Sequence, residues 1–248
     1  MTGISSPTNL GPLQRSNFDF LGVEVKKSTT IPKASDVLKD LYLRLTDSNH
    51  RDISNRSDFV SKARGISIYK VSQPVARFLL FAAMHDNIPD PNDPACLLKG
   101  INGCHSTIIL KTWVSEEGLS VEHVAPQTRS LGWDSAIYQD LLIDTLGNLT
   151  LCPQSINGLL GNESWIRKRD VYKALGNAAG LIAAQQTLLA ATPPYTKLAN
   201  AIKNEDVGHC KFFGNIGDKT DSWDKTFIER RSDNLLGFAW DRLISWLK

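Results

Sequence analysis

Leu119-Ser-Val-Glu-His-Val-Ala-Pro-Gln127, then after seventeen intervening residues Thr145-Leu-Gly-Asn-Leu-Thr-Leu-Cys-Pro153, then Gln154 to Lys168, is the stretch whose reading decides the fold. Leu119 to Val124 alternates, with β-branched residues at Val121 and Val124, and predicts a short strand running into Pro126. Thr145 to Pro153 predicts a turn and a second short strand. After Pro153 the chain is expected to enter a helix through Ser155-Ile-Asn157 and to run, imperfectly because of Gly158 and Gly161, towards Tyr172. Hydrolysis of a phosphodiester needs a group that takes a proton from water and an electrophile that neutralises charge on the phosphate. Two short strands followed by a helix are a minimal scaffold for both, with a histidine at the end of the first strand and metal ligands from strand and helix.

His123 is the expected base, because a neutral imidazole with a pKa near neutrality accepts a proton at physiological pH. Neighbouring side chains on a strand point to opposite faces, so Glu122 and His123 can serve one ion only where the strand bends, as expected on approach to Pro126. Glu122 would then coordinate the ion while His123 stays free. Alone, a Glu-His pair is more often structural. Asn157 lies nine residues beyond Asn148, and Lys168 eleven beyond Asn157. On a continuous helix that spacing is close to three turns and puts Asn157 and Lys168 on one face. An asparagine oxygen is a hard ligand suited to Mg²⁺ or Mn²⁺, and a lysine beside it could contact a phosphate. Asn148 reads as a turn residue that ties backbone groups together and holds the histidine-bearing strand.

Outward from this core, residues 1 to about 34 are rich in Ser, Thr, Pro, Asn and Gly and read as a poorly ordered lead or linker. Val37, Leu38, Leu41, Leu43 and Leu45 fit an amphipathic helix capped by Ser35 or Asp36. Ser72 to His85 reads as a more buried helix, and Pro89, Pro91 and Pro94 enforce a loop. Leu181 to Ala191, Thr196 to Lys203 and Ser222 to Leu247 read as helices. The aromatics of the last one, Trp223, Phe227, Phe238, Trp240 and Trp246 among them, read as packing.

The 248 residues are 42% hydrophobic and 22% charged with a formal net charge of +2, an ordinary globular profile that does not itself predict a polyanion partner. Any nucleic-acid surface must be local. Arg167-Lys168-Arg169 with Lys173 is the candidate, while Lys26-Lys27 and Arg230-Arg231 read as solvated faces. Cys96, Cys104, Cys152 and Cys210 are too scattered for a disulfide framework and read as reduced thiols. Without a CxxC pair, a metal shared by Cys96, Cys104, His105 and His209 or Cys210 is the lesser alternative. No apolar run of eighteen residues and no signal-like start is seen, so the expected location is cytoplasmic.

The combination Glu122-His123-x-x-Pro126-Gln127, Gly147 to Leu151, and Asn157, Leu160, Asn162, Trp165, Lys168 and Tyr172 resembles the C-terminal nuclease domain of GmrSD-type restriction enzymes. Trp165 stands where phenylalanine is commoner, a change of packing only. Trp223, Ile228, Arg231 and the apolar helix ending at Trp246 resemble that family's tail. The resemblance implies an α+β, mostly helical fold with a ββα-metal (His-Me finger, HNH) core at about 119–175 inside a single domain over 35–248. It implies a DNA endonuclease dependent on Mg²⁺ or Mn²⁺ and acting in defence against foreign DNA. Carried over by position, His123 is the general base, Asn148 its buttress, Asn157 and Glu122 the metal ligands, and Lys168 a catalytic phosphate contact. Arg167, Arg169 and Lys173 extend the nucleic-acid surface. Relatives usually carry an N-terminal nucleotide-hydrolysing sensor domain, and none is legible in these residues, so the expected partners are DNA and such a domain or subunit. The rival readings are a catalytically silent DNA-binding module on the same scaffold and a helical interaction domain in which Glu122-His123 is incidental.

Overall fold

The computed structural model describes residues 54–248 except 109–118, 131, 178–180, 192–193, 203–210, 220 and 248, and before them only Ser35, Asp36, Lys39, Tyr42 and Leu43. The chain divides into two units, Met1–Leu41 and Tyr42–Lys248, and the elements that follow belong to the second. The expected lead over 1–34 lies outside the described residues. So does most of the helix expected from Ser35, although the five residues described there are helical.

The described fold is mostly helical with two small antiparallel ribbons, the α+β class expected. In chain order come α1 (Arg56–Ala63), α2 (Ile68–Val71), α3 (Gln73–Met84), β1 (Asn87–Pro89), β2 (Leu97–Lys99), β3 (Leu119–His123) and α4 (Ser135–Gln139). Two 3₁₀ turns, Leu142–Asp144 and Leu146–Asn148, lead into β4 (Leu149–Pro153). They are followed by α5 (Gln154–Leu160), α6 (Trp165–Asn177), α7 (Leu181–Ala190), α8 (Thr196–Ala201), α9 (Lys211–Gly217) and α10 (Lys225–Leu247). No helix among the described residues is long and apolar enough to cross a membrane.

Local chemistry explains the main elements. Ser72 caps α3 through its hydroxyl, which accepts from Val75 N, and Pro74 sits in the first turn where its missing donor costs nothing. Asp224 does the same for α10, accepting from Phe227 N at 2.9 Å. Along α10, Phe227, Ile228, Arg231, Leu235, Leu236 and Ala239 recur every three or four residues and form the buried stripe. The helix expected from Asn157 through Lys168 is two helices. Gly161, at φ 41°, ends α5 in a backbone conformation that favours glycine, so α5 and α6 are separate rods and the one-face argument for Asn157 and Lys168 does not apply. The proline-rich loop contains a small ribbon, β1 against β2, with Pro89 on it.

β3 and β4 pair antiparallel, with Glu122 opposite Thr150 and His123 opposite Leu149. All five residues of β4 are buried, because it lies between two cores. Leu149 and Leu151 face α3 and the later half of α10, among Leu80, Phe81, Leu235 and Leu236. Cys152 faces the other way, among Ile156, Trp165, Tyr172, Trp223 and Ile228. α10 clamps the turn before β4. A side chain at Gly147 would collide with the Ile228 carbonyl, so only glycine admits the helix so close. The Gly147 amide donates to Ser232 Oγ at 2.9 Å, and Arg231 donates to Gly147 O and Leu149 O, each at 2.7 Å. Burial pulls the Arg231 pKa down to about 10, which leaves it a cation at neutral pH.

Candidate active site around His123

His123 closes β3, and a single amide fixes the chain around it. Asn148 Oδ1 accepts from Ala125 N at 2.9 Å and from Trp223 Nε1 at 3.0 Å. Its Nδ2 donates to Ala125 O at 2.9 Å and to Ile143 O at 2.8 Å. Asn148 is fully buried, so its four polar sites are spent on three segments: the chain just past His123, the residue before Asp144, and the start of α10's layer.

The Ile143 tie matters because of its neighbour. Asp144 Oδ1 lies 2.9 Å from His123 Nε2 and also accepts from Gln127 Nε2 at 3.3 Å. A carboxylate accepts only, so this bond places the imidazole proton on Nε2 and leaves the lone pair on Nδ1. Burial drives the His123 pKa below its ordinary value, with Asp144 pulling it back up and Lys168 pushing it further down. The ring is therefore neutral at pH 7, the form that accepts a proton. Tyr69 of α2 covers it, ring against ring at 4.5 Å and nearly perpendicular.

Two grooves flank Tyr69. One, of about 750 Å³, is lined by Tyr69, Gln73, Pro74, Arg77, Ser120, Val121, Gln154, Asn157 and Gly158. The other, of about 730 Å³, runs past Lys70, Ser72, Gln127 and Asp144. Asn157 thus faces the first groove. Its Nδ2 donates to Ser120 Oγ at 2.8 Å and to Val121 O at 3.1 Å, which leaves Oδ1 as the atom the groove can use.

Glu122 and Lys168 take other places than expected. β3 stays in the ladder through His123 with no bend before it, so Glu122 points to the opposite face from His123. There Glu122 Oε1 accepts from Lys168 Nζ at 2.7 Å and Tyr172 OH at 3.0 Å, and Lys168 Nζ also donates to His123 O at 2.8 Å. The Lys168 side chain is 0% exposed and that of Glu122 is 4% exposed. Lys168 is therefore an internal strut from α6 to the backbone of β3 and not a surface phosphate contact. Burial pushes the Glu122 pKa up, and Lys168 and Tyr172 push it back down. Tyr172 is driven well above its ordinary value by burial and by Glu122.

The other residues of the expected basic surface are each beside an acid. Arg167 lies 3.1 Å from Glu163, with its guanidinium over the Tyr195 ring, Arg169 lies 3.3 Å from Asp170, and Lys173 lies 4.0 Å from Asp218. The face of α6 is locally balanced in charge. Arg230, read as a solvated cation, pairs with Asp93 at 2.9 Å, whereas Arg231 is interior.

Tested as ligands of Mg²⁺ or Mn²⁺, which take oxygen donors and fill out their shell with water and phosphate, the two expected residues divide. Asn157 Oδ1 fits. Glu122 does not, since it is held in a buried ion pair on the other face of β3. No three His, Cys, Asp or Glu side chains converge as a metal cage among the described residues. Cys96, Cys104 and Cys152 are not in disulfides, and His209 and Cys210 lie outside the described residues.

His123 is thus a buried histidine at the end of the first strand of a ββα unit, beside a carboxylate and covered by a tyrosine that lines two grooves. Residues 53–238 match the family model described as GmrSD restriction endonucleases, C-terminal domain, and the chain belongs to that family. The family is one of restriction endonucleases, so the chain is a nuclease domain with DNA as its substrate. Comparison with curated proteins gives no match.

Asp144, Gln127's partnership with it, Tyr69 and the groove on α3 escape sequence reasoning. Asp144 lies 21 residues from His123, at no motif spacing. The one signal pointing to it is Gln127, a polar residue whose place in the motif has no role until its acceptor is known.

Proposed function

We propose that the domain is an HNH-class (His-Me finger) endonuclease in which His123 Nδ1 takes the proton from the water that attacks a DNA phosphorus. Asp144 holds the opposite nitrogen and stabilises the imidazolium as it forms, the role a carboxylate plays behind any histidine base. Gln127 steadies Asp144. Asn148 keeps both backbone segments in register, and Lys168, held by Glu122, which Tyr172 in turn anchors, braces the His123 carbonyl from behind. The observation that carries the reading is the 2.9 Å contact between His123 Nε2 and Asp144, on a ring that burial keeps neutral.

A divalent cation, Mg²⁺ or Mn²⁺, held by Asn157 with substrate phosphate oxygens, would supply positive charge to the leaving oxygen. Action in restriction against foreign DNA is the setting that family membership supports, and a nucleotide-hydrolysing sensor domain or subunit is the partner expected to work beside it. One observation favours a second reading, a DNA-binding scaffold that does not cut: the acidic neighbour of the histidine is withheld by Lys168. Supercoiled plasmid incubated with the purified chain across Mg²⁺, Mn²⁺ and chelator separates the two. Metal-dependent, chelator-sensitive nicking is expected, and binding without nicking in either metal would establish the silent scaffold.

A further inference from the structure

A cation held at Asn157 has to find its further protein oxygens elsewhere than at Glu122, which is locked behind β3 in its pair with Lys168. Among the described residues no three His, Cys, Asp or Glu side chains converge as an acidic cage. The groove that Asn157 faces offers neutral oxygens instead, and two of them come from one helix. Gln154 and Asn157 lie three positions apart on α5, a spacing that sets side chains next to each other with Cβ atoms about 5–6 Å apart. Both line the groove. Asn157 Nδ2 is engaged by Ser120 Oγ and Val121 O, which leaves its Oδ1. Gln154 is exposed, and its amide makes no hydrogen bond among the described residues. Ser120, on the same wall, is committed: its hydroxyl donates to Cys152 O at 3.0 Å and accepts from Asn157. Val121 lies two residues before His123 and on the same face of β3, and Tyr69 lines this groove while packing on His123. The two amide oxygens are therefore on the histidine's side of the strand.

We infer that Gln154 Oε1 joins Asn157 Oδ1 in holding the divalent cation, a pair of neutral oxygens in the place of an acidic ligand. The inference rests on the nuclease reading and adds the second protein ligand to it. Two amide oxygens grip Mg²⁺ or Mn²⁺ weakly, and water and substrate phosphate fill the remaining positions, so the ion is held firmly only with DNA in place.

The probe is Mn²⁺ alone, without DNA. In ¹⁵N-labelled wild type, Mn²⁺ should broaden the side-chain NH₂ signals of Gln154 and Asn157 before that of Gln127, which reports an ion at Asp144 instead. Gln154→Ala should lose the broadening at Asn157. Gln154→Glu is the gain-of-function variant. Residue 154 is exposed in the first turn of α5, where an acid is compatible with a helix, so the fold is kept. With a carboxylate beside Asn157 it should bind Mn²⁺ about tenfold more tightly than wild type, read from loss of the free-ion EPR signal. Gln73→Glu, the same charge on the α3 wall of the groove, should gain little. The inference is overturned if Gln154→Glu binds Mn²⁺ no more tightly than wild type or Gln73→Glu, or if broadening centres on Gln127 and leaves Gln154 sharp. A wild type that broadens neither amide leaves Gln154→Glu to decide alone. Plasmid nicking by wild type in Mg²⁺ separates this from the reading beneath it. Nicking without a gain in Gln154→Glu removes the inference alone, and a gain without nicking leaves a cation site on a scaffold that does not cut.

Discussion

Replacing Lys168 by alanine separates an internal strut from a phosphate contact. The ammonium is wholly buried and makes bonds of 2.7 Å to Glu122 and 2.8 Å to the His123 carbonyl, and its carboxylate partner is 4% exposed. Removing one member of such a pair leaves the other as an uncompensated buried charge, at a cost of about 3–5 kcal/mol. For a domain of this size each kcal/mol is about 2–4 °C, so melting should fall by roughly 6–20 °C. The loss should also depend on pH. Burial already raises the Glu122 pKa, and losing Lys168 removes the principal influences that lower it. A carboxyl whose folded pKa lies above its unfolded value stabilises below the unfolded pKa, and that stability is lost as pH rises through the folded pKa. Lys168→Ala should thus be nearest to wild type in acid and fall away towards neutral pH. Pairing Lys168→Met with Glu122→Gln, which keeps an acceptor for Tyr172, should recover most of the loss. Scanning calorimetry across pH reads all of this. A Lys168→Ala protein that melts within about 2 °C of wild type but binds DNA tenfold more weakly, with a salt slope lower by one, would refute the strut and restore the phosphate contact.

Asp144→Asn should lower single-turnover cleavage by about two to four powers of ten while leaving DNA affinity unchanged, because an amide no longer enforces the tautomer that frees Nδ1. Asp144 raises the His123 pKa, so in this variant the ring should titrate at lower pH than in wild type, as read by NMR of the His123 ring protons. Tyr69→Ala should move the same titration upward towards the ordinary histidine value, since it exposes a ring now held down by burial. An unmoved titration would show that α2 does not shield the ring. Asn148→Ala should cost about 3 kcal/mol or more in urea unfolding, because it strands the partners of four hydrogen bonds, three of them fully buried.

Short-range chemistry made part of this site legible. The alternation around Val121, the turn at Gly147-Asn148 and the apolar pattern over Ser72 to His85 each act within a few residues, and β3, β4 and α3 fall where these signals put them. The family motif tied His123, Asn148 and Asn157 to one core. What escaped depends on which face a side chain takes after assembly. Glu122 reads as a ligand only if the strand bends, and its pairing through His123 is decided by β4 and not by local preference. Lys168 reads as a phosphate contact from its place in a basic cluster and its spacing from Asn157. Its burial follows from α6 packing against β3 after the break at Gly161, a glycine whose weight as a helix end the spacing argument underestimated. Tyr69 and Arg77 come from helices some fifty residues upstream of the motif and reach the site only through tertiary packing. Gly147 was part of the motif, but its reason, a helix eighty residues away at van der Waals contact with its backbone, is visible only in the folded chain.

The most direct test of His123 as the base is the rate of plasmid nicking by His123→Ala beside wild type, in Mg²⁺ and in Mn²⁺, with melting and DNA affinity measured on the same preparations. The variant should fold and bind as wild type does and cut at least about a hundredfold more slowly in both metals. A folded variant that nicks at the wild-type rate would contradict the account.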